Sequence, residues 1–105
     1  MSRISKLQKF LESEPDDSFT RYAIGLEYAK EKKYTEAIQT LEELRARDPK
    51  YIPTYYMLAE YYRESGDKVQ AQSIYREGIT RSRATNDLHA MSELQAALDE
   101  LEDNL

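Results

Sequence analysis

Residues 52–85 read IPTYYMLAEYYRESGDKVQAQSIYREGITRSRAT, and this stretch decides the fold. Apolar residues in its first half recur at intervals of three and four: Tyr55, Leu58, Ala59 and Tyr62. At about 3.6 residues per turn, this spacing places the four side chains on one face of an amphipathic helix. The chain shows no alternation of apolar and polar residues of the kind that indicates a strand. The sequence therefore predicts an all-α protein.

The same stretch repeats the sequence before it at a spacing of 34 residues. Residues of similar size coincide when the chain is shifted by this period. The coinciding pairs are Leu7 and Leu41, Pro15 and Pro49, Gly25 and Ala59, Tyr28 and Tyr62, Ala37 and Ala71, and Leu41 and Tyr75. A fixed period of this length is typical of stacked helix–turn–helix units. The small pairs predict close approach of two helices, and the large pairs predict filled space between neighbouring hairpins.

Both copies resemble the tetratricopeptide repeat, whose pattern is Trp-x2-Leu-Gly-x2-Tyr, followed by Ala, a large residue, Ala and Pro. Residues 18–51 carry the pattern as Arg21, Ile24, Gly25, Tyr28, Ala37, Leu41, Leu44 and Pro49. Residues 52–85 carry it as Tyr55, Leu58, Ala59, Tyr62, Ala71, Tyr75, Gly78 and Arg83. The dipeptide Gly66-Asp67 also matches the family's turn between the two helices of a repeat.

The resemblance implies an all-α, right-handed superhelix of antiparallel helical hairpins with about six helices. We expect a single domain over 1–105 with a half-repeat at 2–17, repeats at 18–51 and 52–85, and an acidic capping helix at 86–105. The expected helices span 2–14, 16–31, 34–47, 52–65, 68–83 and 86–103. The terminal elements would cover the ends of the stack, because a hairpin of this kind cannot bury its faces alone.

Three residues depart from the family pattern. Arg21 stands in the place of the family's Trp, so we expect looser packing there, although its methylene stem can still pack. Arg83 replaces the proline that ends the second repeat, which predicts a less rigid turn before the last helix. The segment Thr85-Asn86-Asp87 offers N-cap residues for that helix. Lys32 replaces the glycine of the first turn.

The composition argues against most kinds of chemistry. The 105 residues include one histidine, His89, and no cysteine. The absence of cysteine excludes disulfides, thiol catalysis and cysteine-ligated metal sites. Asp87 lies two residues from His89 and therefore on another face of a helix. No glycine-rich phosphate loop and no metal-ligand spacing occurs in the sequence. We expect no enzyme activity, no catalytic residue, no cofactor and no metal, with His89 an ordinary packing or surface residue.

The negative charge is concentrated at one end of the chain. The net charge is −5, and residues 86–105 hold six acids and no Lys or Arg. This segment is interpreted either as the solvated face of a terminal helix or as an acidic docking surface for a basic partner. We expect no nucleic-acid binding, despite nine tyrosines, because base stacking without phosphate neutralisation is weak.

We expect neither a membrane span nor an export signal in this sequence. No apolar run approaches the roughly 18 residues of a membrane span, and residues 1–7 lack the continuous apolar core of a signal peptide. We therefore expect no membrane association and a cytoplasmic location.

A protein-binding surface is the remaining candidate. In the family that this chain resembles, the first helices of successive hairpins line a concave groove. The corresponding positions here are Phe19, Tyr22, Leu26, Tyr56, Met57, Glu60 and Met91, with Ala23, Pro53, Ala90 and Leu94 beside them. An apolar arc with a charged rim often marks an interaction site. We expect a peptide or helix of a partner protein to dock there.

Two alternatives to this docking stay open from the sequence alone. The short array could twist so that its own helices cover much of the arc. The same groove, or the C-terminal helix, could instead pair with a second copy about a twofold axis to form a homodimer.

One class of partner is argued against by the resemblance. Some family members bind acidic C-terminal tails of heat-shock chaperones through Lys, Asn and Arg in the groove. The corresponding positions here are Tyr22, Leu26, Met57, Asp87 and Met91. None of these is cationic, so a terminal carboxylate would find no charged partner, and we expect no binding of such tails.

Overall fold

The computed structural model describes residues 2–105, which contain six helices and no strand. The helices are α1 (Arg3–Ser13), α2 (Ser18–Lys30), α3 (Tyr34–Arg47), α4 (Pro53–Glu64), α5 (Lys68–Ala84) and α6 (Leu88–Asp103). The all-α prediction is confirmed, and each helix end lies within two residues of the expected position. None of the helices in this range combines the length and apolar composition that a membrane span needs.

Side-chain caps set the starts of four helices. In each, a side-chain oxygen accepts a hydrogen bond from the backbone N–H three residues later, at 3.1 Å. The caps are Ser2, Asp17, Asp67 and Asp87. Each cap satisfies one of the N–H groups that the first turn of a helix leaves without an internal partner. The expected capping role of the segment before α6 is therefore confirmed at Asp87.

Three turns between helices close in the same way. Lys32, Gly66 and Asn86 have positive φ angles of 61°, 85° and 59°. In each turn the next residue donates its backbone N–H to the carbonyl five positions earlier, at 2.9, 2.9 and 2.8 Å. This closure requires one left-handed residue after the helix, a conformation that glycine adopts most easily. Lys32 therefore does occupy the turn position that Gly66 fills 34 residues later.

The helices form two compact units. The N-terminal unit ends at Tyr51 and contains α1–α3, and the C-terminal unit spans Ile52–Leu105 and contains α4–α6. In the first, α2 packs against both α1 and α3; in the second, α5 packs against both α4 and α6. Organisation as a single domain with a half-repeat, two repeats and a cap stays a prediction.

The core of the N-terminal unit depends on one close approach between α2 and α3. A β-carbon added to Gly25 would lie 2.6 Å from Cδ2 of Leu41. Leu41, Ala37 and Leu44 of α3 are fully buried. The prediction that small residues mark the approach of paired helices is confirmed here, since only a residue without a side chain leaves Leu41 this space.

Arg21 of α2 is packed more tightly than expected. The residue is buried, its Nη2 donates a hydrogen bond to the Pro15 carbonyl at 2.7 Å, and its Nη1 lies 3.5 Å from the Glu43 carboxylate. The expectation of looser packing at this position is therefore wrong. A hydrogen bond and an ion pair of the guanidinium take the place of an aromatic ring, because a buried charge requires such partners.

The C-terminal unit closes around Gly78 of α5. A β-carbon on Gly78 would stand 2.6 Å from Cβ of Tyr55 and 3.0 Å from Cδ1 of Leu94. Tyr55 and Tyr75 are fully buried, and Leu94 is 1% exposed. The expectation that Leu94 lies beside a docking groove is therefore wrong, because this side chain packs into the core between α5 and α6.

Candidate functional site

The predicted groove residues divide between the two units. On α2 of the N-terminal unit, Phe19 is 66% exposed, whereas Tyr22 and Leu26 are half-buried. The remaining four belong to the C-terminal unit: Tyr56, Met57 and Glu60 on α4, and Met91 on α6. Tyr56 is exposed, and the other three are half-buried.

In the N-terminal unit, contacts with the residues that follow α3 hold the first half of α2. The rings of Tyr22 and Tyr51 are tilted by 59° with centroids 5.8 Å apart, and the Ser18 hydroxyl donates to the Asp48 carboxylate at 2.6 Å. Burial raises the pKa of both tyrosines. The neighbouring Tyr51 raises the pKa of Tyr22 further. The charges of Asp17 and Asp48 raise the pKa of Tyr51 further. Phe19 stands exposed on the same helix.

In the C-terminal unit, α4 and α6 face each other across a cleft of about 310 Å³. One wall carries residues of α4 at intervals of four and three, and the other carries residues of α6 with the same helical spacing. The lining residues are Tyr56, Glu60, Arg63, Glu93, Ala96, Ala97 and Glu100. An aromatic ring and two alanines thus lie among four charged side chains.

The Tyr56 ring is fixed from beneath by a second tyrosine. Tyr56 meets the buried ring of Tyr75 edge to face, with centroids 6.3 Å apart and planes at 67°. The Tyr75 hydroxyl donates a hydrogen bond to the Glu60 carboxylate. This edge-to-face geometry is a favourable one for two aromatic rings. The exposed part of Tyr56, 37% of the residue, is therefore presented in a defined orientation.

Charges on both helices tie the walls of the cleft together. The Arg63 guanidinium on α4 donates to the Glu100 carboxylate on α6 at 2.8 Å and lies 4.0 Å from the Glu60 carboxylate. Burial first, and then the charges of Glu60, Glu93 and Glu100, raise the pKa of Tyr56. Three carboxylates therefore face one guanidinium, and the cleft carries a negative potential.

The acidic C-terminal segment is in part engaged within its own unit. Besides Glu100, Glu102 forms an ion pair with Arg76 of α5 and accepts a hydrogen bond from Gln72 at 3.2 Å.

His89 is a surface residue, which was one of the two expected alternatives. Its side chain lies 3.4 Å from the Glu93 carboxylate. Within residues 2–105, no group of three or more acidic or histidine side chains is placed to hold a metal ion.

The sequence prediction and the cleft overlap in two residues, Tyr56 and Glu60. Arg63 lines the cleft as well. The prediction missed the α6 wall, which consists of Glu93, Ala96, Ala97 and Glu100. The signal for this wall was present as carboxylates spaced seven residues apart with two alanines between them, a spacing that places them on one helix face.

Comparison with known proteins agrees with the repeat seen in the sequence. The tetratricopeptide repeat family model matches residues 28–98. A solved structure of a tetratricopeptide repeat domain protein from Salinibacter ruber is 36% identical, with a TM-score of 0.81, and the match covers 85% of this chain and 90% of the other. No curated protein sequence matches the chain.

Two further solved structures are similar in fold at low sequence identity. PcrH, in complex with the chaperone binding region of PopD, is 16% identical with a TM-score of 0.87, covering 96% of this chain and 77% of its own. The type III secretion translocator chaperone SycD of Yersinia enterocolitica is 15% identical with a TM-score of 0.86, covering 96% and 70%. The family model spans more than half of the chain, its residues carry the repeat pattern, and the helices pack as hairpins, so the chain belongs to the tetratricopeptide repeat family.

Proposed function

We propose that this chain is a non-enzymatic protein-binding module whose C-terminal unit holds a peptide or helix of a partner protein in the α4–α6 cleft. The observation that carries the proposal is the exposed, oriented ring of Tyr56 beside Ala96 and Ala97. Tyrosine in a preformed pocket is a common energetic anchor of protein interfaces. A ring that is already fixed loses little conformational entropy when a partner binds.

The shape of the cleft suits a single segment of polypeptide. Its volume of about 310 Å³ is at the lower end of the range for ligand pockets, roughly 300–1,000 Å³. One or two side chains of a docked helix would fill it, with the polar rim of Glu60, Arg63 and Glu100 remaining in water. This arrangement corresponds to the helix-in-groove mode of recognition.

The family provides independent support for a protein partner. PcrH, which has a similar fold, forms a complex with the chaperone binding region of PopD. By analogy of fold, this chain would have the same general ability to hold a segment of another protein. Phe19, Tyr22 and Leu26 of the N-terminal unit, and Met57 and Met91 of the C-terminal unit, stay in the proposal as further contact residues. We expect this chain to bind neither acidic chaperone tails nor nucleic acids nor membranes.

The test uses a fluorescein-labelled amphipathic helical peptide with a leucine face and a glutamine face. Fluorescence anisotropy measures its binding to the full chain and to Tyr56→Ala, which we expect to weaken binding about tenfold. Phe10→Ala is the matched control, because Phe10 is an aromatic residue of α1 that is 51% exposed. Circular dichroism confirms that both variants remain helical. Equal binding by Tyr56→Ala and the unmodified chain would rule out the cleft as the binding site.

Self-association is the competing use of the same surface. Light scattering across a dilution series measures the mass of the unmodified chain, which is 12.3 kDa as a monomer. A monomer at every concentration supports binding of a separate partner. A dimer that persists on dilution and is dissociated by Tyr56→Glu would show that the cleft is occupied by a second copy, and the partner-binding proposal would then fail.

A further inference from the structure

We propose that the α4–α6 cleft selects a positively charged side chain, so that its partner segment carries a lysine or arginine next to an apolar residue. This inference rests on the proposed function and specifies the chemistry of the partner.

The charges of the cleft do not cancel. Glu60, Glu93 and Glu100 face a single cation, Arg63. Arg63 is already bound to Glu100 at 2.8 Å and stands 4.0 Å from Glu60, and Glu60 also accepts a hydrogen bond from the buried Tyr75 hydroxyl. The structure thus satisfies two of the three carboxylates from within the C-terminal unit.

Glu93 is the carboxylate that the protein leaves for a partner. Its side-chain contact is with the imidazole of His89, at 3.4 Å, and because that ring is 86% exposed, water screens the attraction between the two groups. The Glu93 side chain is 58% exposed and lies on the cleft wall opposite Tyr56. A neutral segment laid over it would remove water from the carboxylate without replacing the lost hydrogen bonds, which costs free energy. A cationic head group would replace them.

The wall between Glu93 and Glu100 fits the stem of a long cationic side chain. Ala96 and Ala97 carry only methyl groups, so they leave a shallow apolar strip along α6. The methylene stems of Lys and Arg pack along such strips while the charged head stays at the polar end. The Tyr56 ring across the cleft adds attraction, because an aromatic face binds a nearby cation. An acidic side chain in the same place would face three carboxylates.

The experiment compares three labelled peptides with the same leucine face and with lysine, glutamine or glutamate on the polar face. At low ionic strength we expect the lysine peptide to bind about three- to tenfold more tightly than the glutamine peptide, and the glutamate peptide to bind most weakly. Glu93→Gln should reduce the preference for lysine about two- to fivefold, and high salt should reduce it further. Glu93→Lys should favour the glutamate peptide.

Asp103→Asn is the matched control, since it removes one negative charge from the same helix at an exposed position outside the cleft lining. If Asp103→Asn changes the preference as much as Glu93→Gln does, the attraction is a property of the net charge and the inference is overturned. Equal binding of the three peptides overturns it as well but leaves the proposed function intact. Failure of all three to bind contradicts both proposals.

Discussion

The hydroxyl of Tyr75 on α5 donates a hydrogen bond to the carboxylate of Glu60 on α4. The Tyr75 residue is fully buried. Burial, followed by the bond to Glu60 and the Glu60 charge, raises the pKa of the Tyr75 phenol well above its usual range. A deprotonated Tyr75 would be a desolvated anion in contact with a second anion. The folded protein therefore keeps Tyr75 neutral, and Tyr75 in turn holds Glu60 at the cleft.

Alkaline pH should destabilise the fold through Tyr75. In the unfolded chain a tyrosine loses its proton near pH 10, whereas in the folded chain the proton stays because the pKa is raised. The stabilisation is fully present below pH 10 and is lost as pH rises above it, by up to about 1.4 kcal/mol per pH unit for one tyrosine. Urea unfolding at pH 8, 10 and 11 measures this slope.

Tyr75→Phe distinguishes this residue from the other tyrosines. The variant should lose about 1 kcal/mol at pH 8, because Glu60 loses a hydrogen-bond donor, and should show a shallower decline of stability at alkaline pH. In a spectrophotometric titration of the phenols, the step that coincides with unfolding should become smaller. A decline as steep in Tyr75→Phe as in the unmodified chain would assign the alkaline effect to other residues.

Size matching made the hairpin cores predictable from the sequence. Gly25 and Ala37 occur at positions that repeat as Ala59 and Ala71, and the structure buries all four. A small residue that recurs with the repeat period indicates a close helix approach, because a close-packed interior matches the size of each side chain to the space available. The same reasoning does not reach a surface cleft, where residue size is not constrained.

The wall that α6 contributes to the cleft was mispredicted because the repeat period changes before that helix. Two buried residues of α4, Leu58 and Tyr61, correspond at a spacing of 36 to the buried Leu94 and Ala97 of α6. The period of the preceding repeats is 34. Two extra residues rotate a helix by about 200°, which exchanges its core face and its outer face. The prediction assumed a strict 34-residue period, so it listed Leu94 beside the groove and did not include Glu93 among the groove residues.

The burial of Arg21 was not predicted from the sequence for a different reason. Sequence comparison identified it as a departure from an aromatic position but gave no partner for its charge. The partners are the Pro15 carbonyl, which the turn before α2 supplies, and the Glu43 carboxylate of α3. The hydrogen bond to Pro15 depends on the path of that turn, which the repeat pattern does not specify.

Gly78 should not tolerate a methyl group. The nearest atom to an added β-carbon is Cβ of Tyr55, at 2.6 Å. That atom is attached directly to the α4 backbone, so α4 and α5 would have to separate. We expect Gly78→Ala to lower the free energy of unfolding by about 2 kcal/mol, despite the better helix propensity of alanine. Urea denaturation monitored by circular dichroism measures the change.

Gly25→Ala provides a graded comparison for Gly78→Ala. The atoms in its way are Cδ2 and Cγ of Leu41, at 2.6 and 2.9 Å, and this side chain can rotate. The loss should therefore be smaller, about 1 kcal/mol. Ser73→Ala on the exposed face of α5 is the control for helix propensity and should be neutral or slightly stabilising. A Gly78→Ala variant as stable as the unmodified chain would contradict the close packing of α5 against Tyr55.

Replacing Lys32 by glycine, the residue at the same turn position of the second repeat, should stabilise the fold. Its φ angle of 61° is left-handed, a conformation that costs a residue with a β-carbon about 1–2 kcal/mol and glycine almost nothing. Lys32 is exposed, so its side chain contributes little packing. We expect Lys32→Gly to raise the free energy of unfolding by about 0.5–1 kcal/mol, since part of the gain is offset by the greater freedom of glycine in the unfolded chain.

Lys33→Gly is the matched control. Lys33 has a φ angle of −93° and pairs with Glu31 at 3.4 Å, so this change should destabilise the fold. If both variants are destabilised alike, relief of the left-handed turn is not what limits stability here, and the advantage of Gly66 in the second repeat must lie elsewhere.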